Sequence, residues 1–230
     1  MRDTVRAVVI LALAFGAAPL AAQNPGLPVY NLGVPRGLGL YGDLGFPNDA
    51  GGKGTAYGLT GRAGFGDIGV TATLSADNPK GDAGSDVAVG GTLNYRLLGG
   101  PLVPLSVTLQ VGASYSKPGD NTLVLPGPGG LSGQEHDLYH FPIGIGFALV
   151  IPNPVLAIRP WLAPRVDIVH TKASGISDTQ TNFGLSGGLE FNLLNGFGIQ
   201  AAYDRVFAKD AADPGTFGVG AHYTFRVPGL

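Results

Sequence analysis

From Leu105 to Tyr115 the chain reads Leu-Ser-Val-Thr-Leu-Gln-Val-Gly-Ala-Ser-Tyr, so an apolar residue alternates strictly with a small or polar one. This is the period of a β-strand with one apolar face and one polar face. In a soluble β-sandwich the apolar faces would meet in a core. In a membrane barrel they would face lipid, and the polar faces would line the interior. The rest of the sequence distinguishes the two.

The N-terminus has the layout of a secretory signal peptide. Arg2 and Arg6 precede an uncharged run from Ala7 to Leu20, and Ala21-Ala22-Gln23 offers a cleavage site with small residues. The run is shorter than the roughly 20 residues that a transmembrane helix needs. We expect residues 1–22 to be a signal peptide, with a buried N-terminal helix as the alternative, and residues 23–36 to form a short periplasmic segment.

The composition excludes several classes of function. The chain has no cysteine, which excludes thiol chemistry, thiolate metal sites and disulfides. The formal net charge is −2 and no basic patch is present, so nucleic acid is not an expected partner. Charged residues make up only 13% of the chain, about half the usual globular share, yet 44% of the residues are hydrophobic, which argues against disorder.

Ten segments carry the strand alternation, and their connections alternate in length. The predicted strands span residues 37–46, 55–65, 67–76, 86–97, 104–116, 138–151, 155–171, 180–193, 197–207 and 215–225. The short connections are residues 66–67, 152–155 and 194–196, and the long ones are 47–54, 76–85, 117–137, 172–179 and 208–214. Short turns at one end and long loops at the other are typical of an outer-membrane barrel, whose turns lie in the periplasm.

Aromatic residues on the apolar faces fall near the strand ends, while the middles are mostly aliphatic. Near the long loops lie Phe46, Tyr57, Tyr115, Tyr139, Phe141, Phe183, Tyr203 and Phe217. Near the short turns lie Phe65, Tyr95, Phe191, Phe197, Tyr223 and Phe225. Two aromatic girdles around an aliphatic band match the two headgroup layers of a bilayer. A membrane helix over residues 138–158 is the local alternative, but that stretch is interrupted by prolines and glycines and keeps the strand alternation.

The final strand, Gly218-Val219-Gly220-Ala221-His222-Tyr223-Thr224-Phe225, and the phrase Ile158-Arg159-Pro160-Trp161 resemble those of the small bacterial outer-membrane β-barrel proteins. The resemblance extends over essentially the whole mature chain. It implies an antiparallel up-and-down barrel over residues 37–225, in contact with outer-membrane lipid and with the barrel-assembly machinery. That machinery is expected to read a terminal aromatic residue, whereas here residues 226–230 follow Phe225 as a tail.

Eight charged residues have the parity of the inward face, four of them basic and four acidic. They are Asp43, Arg62, Arg96, Arg159, Arg165, Asp167, Glu190 and Asp204. The lumen of a ten-stranded barrel is only a little wider than that of an eight-stranded barrel, which side chains fill. We therefore predict that these charges pair and plug the lumen, because an unpaired charge in a narrow space of low dielectric is costly. A charged constriction that selects ions is the alternative.

Within this network we expect Glu190 and Arg62 to find charged partners across the lumen, since neither faces a charge in its own hairpin. Arg96 and Arg159 are further candidates for Glu190. The sole tryptophan, Trp161, has inward parity, and either it helps to fill the lumen or a bulge turns it towards lipid.

Two other segments are candidate sites. The residues Glu135-His136-Asp137 and His140 combine imidazole and carboxylate groups, which could form a metal site or an acid–base pair. No further catalytic partner stands at a recognisable spacing, so we interpret them as a solvated polar loop. The loop 117–137 is rich in Gly and Pro and could carry adhesion or ligand capture, either as a flexible loop or as a short hairpin.

These observations predict a barrel of about ten strands, with eight as the alternative. The expected function is that of a non-enzymatic, monomeric scaffold, structural or for surface interactions, with no cofactor and no metal site. The alternatives are a narrow pore for small solutes or ions and a secreted periplasmic β-sandwich that acts as a binding module.

Overall fold

The computed structural model describes residues 37–80, 85–100, 103–117, 136–152, 156–173, 176–208 and 212–225. The signal peptide, the periplasmic segment, most of the loop 117–137 and the C-terminal tail, all predicted above, lie outside these residues. The strands are β1 (Gly37–Pro47), β2 (Gly54–Phe65), β3 (Ile68–Pro79), β4 (Asp86–Gly100), β5 (Val103–Lys117), β6 (His136–Leu149), β7 (Ile151–Pro152), β8 (Leu156–Ala173), β9 (Ile176–Leu193), β10 (Phe197–Phe207) and β11 (Gly215–Phe225). A 3₁₀ turn, Asp49–Gly51, follows β1.

The ten long strands form one closed antiparallel barrel. Each pairs with its neighbours in sequence, and the ring closes where β1 pairs with β11. The two-residue strand β7 continues β6 in the same register against β8. The prediction of a ten-stranded up-and-down barrel is therefore confirmed, and the eight-stranded, sandwich and 138–158 helix alternatives are wrong. Within the described ranges, no helix is long and apolar enough to cross a membrane.

The apolar faces of the strands point outward and the polar faces inward. Leu74 and Val87 are 58% and 60% exposed, while Asp167 and Ser186 inside the barrel are 0% exposed. A soluble sandwich would reverse this pattern, because its large apolar side chains would be the buried ones. An apolar outer surface around a polar interior is the arrangement of a membrane barrel.

The tight turns set the register of the strands that they connect. Gly66 adopts a φ of 61°, a left-handed conformation that glycine reaches without steric cost. The turn places Phe65 opposite Ile68, which keeps the apolar residues of β2 and β3 on the same outer face. At the turn after β9, Phe191 likewise lies opposite Ile199 on the outer face.

The β8–β9 hairpin is longer than the sequence predicts. Residues 172–179 are predicted to be a loop, but β8 continues to Ala173 and β9 begins at Ile176. Polar cross-strand contacts support the extra rungs: the Nδ1 of His170 lies 2.8 Å from the Oγ1 of Thr179. The outward residues of this segment, Lys172, Ser177 and Thr179, are polar, so the apolar alternation does not extend into it. The pairing of β8 with β9 continues through this segment because strand pairing requires backbone hydrogen bonds and does not require apolar side chains.

Candidate functional site in the barrel lumen

All eight charged residues predicted to face inward do point into the barrel. Six of them are buried, at 6% exposure or less: Asp43, Arg62, Arg165, Asp167, Glu190 and Asp204. The side chains of Arg96 and Arg159 are 11% and 19% exposed. Strand parity alone places them on this face, because successive side chains of a strand alternate between the two faces of the sheet.

Arg165 organises the first cluster, which lies on the half of the strands nearer the long loops. Its Nε donates to Oδ1 of Asp167 at 2.9 Å, and its Nη1 donates to Oγ of Ser186 at 2.5 Å. Its Nη1 and Nη2 form a fork onto the two carboxylate oxygens of Asp204, at 2.5 and 3.0 Å. The Nε2 of His140 lies 2.7 Å from Oδ1 of Asp167. We call these five residues the Arg165 cluster.

The Arg165 side chain extends from β8 across β9 to reach Asp204 on β10, and it passes over Gly184 of β9. A Cβ on Gly184 would lie 2.8 Å from Cζ of Arg165, too close for any real side chain at that position. Because Gly184 has no Cβ, the Arg165 side chain can pass over β9 and connect β8 to β10. Bidentate Arg–carboxylate contact is among the strongest pairings available to side chains.

A second cluster lies nearer the short turns. It consists of residues from five strands, and it includes two rings, those of Tyr41 and His222, and three charged side chains. We call it the Glu190 cluster, and its members are Tyr41, Arg62, Arg159, Glu190, Asn192 and His222.

The contacts of the Glu190 cluster join side chains on neighbouring or next-but-one strands. Glu190 Oε2 lies 3.8 Å from Nη1 of Arg159, and its Oε1 lies 3.6 Å from Nε2 of His222. The His222 ring stacks on Tyr41 with centroids 4.5 Å apart. The guanidinium of Arg62 lies 3.6 Å above the same Tyr41 ring, a cation–π contact. The ring of Tyr41 thus joins Arg62 on β2 to His222 and, through it, to Glu190 on β9.

Of the two further candidates for Glu190, Arg159 is the partner, but the expectation that this partner lies across the lumen is wrong. Arg159 stands directly opposite it on β8, the neighbour on its other side. The prediction considered only the β9–β10 hairpin, whereas every strand of a closed barrel has two neighbours. Arg96 does not approach Glu190, because its Nη2 donates to the carbonyl of Gly66 at 2.5 Å and its Nε lies 3.6 Å from Asp67. Arg96 therefore fixes the β2–β3 turn.

Neutral polar side chains line the opposite wall. Thr60 and Thr73 share a hydrogen bond of 2.9 Å, and the Nε2 of Gln110 donates to Oδ1 of Asn94 at 2.6 Å. The remaining predicted charge, Asp43, accepts a hydrogen bond of 2.5 Å from the Nε2 of Gln200. Hydroxyls and amides line much of β2 to β5, but these strands also carry Arg62, Arg96 and the buried pair Asp77 and Asp86, which lie opposite each other. The other lumen charges lie on β1 and β8 to β10.

The interpretation of Asp137 and His140 as parts of one solvated loop is wrong for His140. Asp137 lies on the outer face, where its Oδ1 accepts from the Tyr115 hydroxyl at 2.7 Å. His140 lies inside the barrel and is 1% exposed. Their odd spacing along β6 puts them on opposite faces, so they do not form a joint site. In the parts of the chain that the structure describes, no group of three His, Cys, Asp or Glu residues could hold a metal ion.

Sequence reasoning missed several members of the clusters although their parity was visible. His140 alternates with the apolar Phe141, and Ser186 alternates with Leu185, so both could have been assigned to the lumen. Trp161 is inward and 5% exposed, which resolves the two alternatives in favour of the lumen. It packs over Gly188, where a Cβ would lie 2.9 Å from its Cζ2 atom.

The fold matches solved structures at low sequence identity. The β domain of the Bordetella autotransporter BrkA is 13% identical with a TM-score of 0.51, and the match covers 82% of this chain and 98% of that one. Ail, the attachment invasion locus protein of Yersinia pestis, is 18% identical with a TM-score of 0.38, covering 83% and 100%. The outer membrane enzyme PagL is 8% identical with a TM-score of 0.40, covering 81% and 99%. At such identities the likeness concerns the fold alone.

No curated protein matches the sequence. Residues 7–225 match the family described as outer membrane protein beta-barrel domain. This match includes every strand of the barrel, and the apolar outer surface and polar interior agree with it. The chain belongs to the outer-membrane β-barrel family.

Proposed function

We propose that this protein is a non-enzymatic outer-membrane scaffold, structural or for surface interactions, whose lumen is closed by its own side chains. The observation that carries the proposal is the burial of the inward polar residues. Asn94 and Gln110 on one wall are each 1% exposed, and Glu190 on the other wall is 3% exposed. Side chains that lined a continuous water-filled path would retain contact with that water.

The pairing of the lumen charges supports the same conclusion. Arg165 donates hydrogen bonds to both Asp167 and Asp204, and Glu190 lies between Arg159 and His222. Burying an ion costs several kcal/mol, which is offset only when partners and further hydrogen bonds surround it. A barrel that conducts ions needs the opposite arrangement, in which charges along the path remain hydrated and able to exchange partners.

The non-enzymatic part of the proposal rests on the Ser, His and Asp side chains of the lumen. Ser186 accepts from Arg165 and donates to Asp204, so its hydroxyl is held by these two groups rather than by His140. Activation of a serine nucleophile requires a base within hydrogen-bond reach. Neither Ser186 nor His140 is more than 1% exposed, which leaves no room for a substrate beside them.

The surface available for interactions is the long-loop end of the barrel. β8 and β9 each have 18 residues, whereas β10 and β11 each have 11, so one side of this rim extends further from the membrane. Loops and extensions on a rigid barrel are where binding residues of such scaffolds usually lie.

Planar-bilayer recording on the refolded, purified barrel tests the proposal. We expect the parent protein to show no stable channel. A double variant, Arg62→Ala with Arg159→Ala, removes the two cations around Glu190 and should produce conductance if these side chains close the lumen. Arg205→Ala, on the outer face, is the matched control and should remain silent. A stable open channel in the parent protein would contradict the closed lumen and favour the narrow pore.

A further inference from the structure

Two buried aspartates face each other inside the barrel, at the long-loop ends of β3 and β4. Asp77 lies directly opposite Asp86, and the two residues are 5% and 1% exposed. Side chains directly opposite each other in an antiparallel pair have Cβ atoms about 4.5–5.5 Å apart. Two negative charges at that separation repel each other, and exclusion of water increases the repulsion. The pair is stable as two anions only if a positive charge lies beside it.

The basic side chains of the protein do not supply that charge to Asp77. Among the described residues, none forms an ion pair with this carboxylate. Arg165 is held by its own carboxylate partners, and Lys53 at the same rim pairs with Asp49 at 2.6 Å. The backbone N–H of Asn78 donates to Asp77, but the Oδ1 atom of Asp77 is buried and has no hydrogen-bond partner. A buried acceptor without a partner is costly, so Oδ1 is available to a ligand.

Two serine hydroxyls lie one row nearer the short turns, on the same inner face. Ser75 lies opposite Ala88, which lies opposite Ser116 on β5. The two serines are 6% and 4% exposed, and among the described residues neither hydroxyl has a hydrogen-bond partner. Only the methyl group of Ala88 separates them in this row. Two carboxylates and two hydroxyls therefore face one small region of the lumen.

These side chains offer oxygen atoms alone, which are the ligands that hard divalent cations prefer. Ca²⁺ takes six to eight oxygens at about 2.3–2.6 Å in a flexible geometry. Mg²⁺ demands a nearly ideal octahedron and gives up its water reluctantly. Ligands from three neighbouring strands of a sheet do not form a regular octahedron, so the arrangement favours Ca²⁺. The two carboxylates also balance its charge.

We propose that Asp77 and Asp86 bind a Ca²⁺ ion inside the long-loop end of the barrel, with Ser75 and Ser116 as further oxygen ligands. The ion replaces the repulsion between the two carboxylates by attraction to a shared cation, and it joins β3, β4 and β5 at this end of the lumen. The stability of the barrel therefore depends on calcium. The site shares no residue with the Arg165 and Glu190 clusters, and the inference is independent of whether the lumen is closed.

Calcium titration and urea unfolding of the barrel, refolded in detergent without lipopolysaccharide, test the proposal. Isothermal titration with CaCl₂ should show one ion bound to the parent protein, and its urea midpoint should be higher in Ca²⁺ than in EDTA. Loss of a mere outer-shell partner of a metal ligand costs about 10- to 100-fold in affinity, so Asp77→Asn should weaken binding by at least tenfold. In EDTA this variant should be at least as stable as the parent, because it removes the repulsion. Asp86→Asn should behave in the same way.

Asp49→Asn is the matched control, since it removes a carboxylate at the same end of the barrel that is 79% exposed and already paired with Lys53. It should keep the calcium affinity of the parent, and a heat-modifiable gel shift shows that each variant is folded. The proposal is overturned if the parent shows neither binding heat nor a shift of its midpoint, which would mean that the two carboxylates share a proton instead. It is also overturned if Asp77→Asn and Asp86→Asn retain the parent's affinity, or if Asp49→Asn loses as much affinity as they do.

Discussion

Replacing Arg165 by alanine tests whether the lumen is a dry, paired network. The guanidinium donates to Asp167, to Ser186 and, as a fork, to Asp204. Its truncation leaves two carboxylates that are 0% and 3% exposed without their cation. Removing one partner of a buried ion pair costs about 3–5 kcal/mol, because the remaining charge stays buried and uncompensated. Because Asp167 keeps its contact with His140, we expect a loss in the free energy of unfolding near the lower end of that range.

Arg205→Ala provides the reference for this measurement. Arg205 also binds a carboxylate, that of Asp213, at 2.6 Å, but the pair lies on the outer face with the arginine side chain 48% exposed. An exposed pair contributes about 1 kcal/mol or less. Both variants remove an arginine from an arginine–aspartate pair. The difference between their free energies of unfolding therefore measures the extent to which water is excluded from the lumen.

The assay is urea unfolding of the refolded barrel in a bilayer or in detergent, followed by tryptophan emission. Trp161 is the only tryptophan and lies inside the barrel, so its emission shifts when the lumen opens to water. A double variant, Arg165→Met with Asp204→Asn, removes both charges of this pair. Its loss in the free energy of unfolding should be smaller, by about 0.5–3 kcal/mol, than the sum of the losses of the two single variants. If Arg165→Ala loses no more stability than Arg205→Ala, the lumen is solvated and the reasoning fails.

Other variants examine the remaining contacts. Glu190→Ala removes the carboxylate that lies beside Arg159 and His222, and it should either destabilise the barrel by about 3–5 kcal/mol or raise its conductance; a variant as stable and as silent as the parent contradicts the plugged lumen. Gly220→Ala would put a Cβ against the carboxylate of Asp43 and 2.8 Å from the carbonyl of Gly42, so we expect a loss of about 1–3 kcal/mol in the same urea assay. Gly61→Ala, whose Cβ meets nothing within 4 Å, is its control and should change stability by less than about 1 kcal/mol.

The sequence by itself determined the strands and their faces. The alternation from Leu105 to Tyr115, repeated along the chain, is enough to assign each side chain to one of two faces, because the period of a strand is two. Closure into a barrel followed from the alternating connection lengths and the aromatic girdles, which a soluble core would not require. The same parity placed residues as far apart as Asp43 and Asp204 in the lumen.

Only the tertiary structure decided which of these residues meet. The odd or even position of a residue along its strand gives the face of the sheet on which it lies. It does not give the depth of that residue in the barrel or its partner on a strand beyond a long loop. The register of β6 against β8 depends on closure of the whole ring. The contact of His140 with Asp167 follows from that register, whereas the pairing of Arg159 with Glu190 and the span of Arg165 over Gly184 follow from the register of β8 against β9. Contacts between strands distant in sequence depend on how the sheet is staggered as it closes, and the local pattern of apolar and polar residues does not contain that stagger.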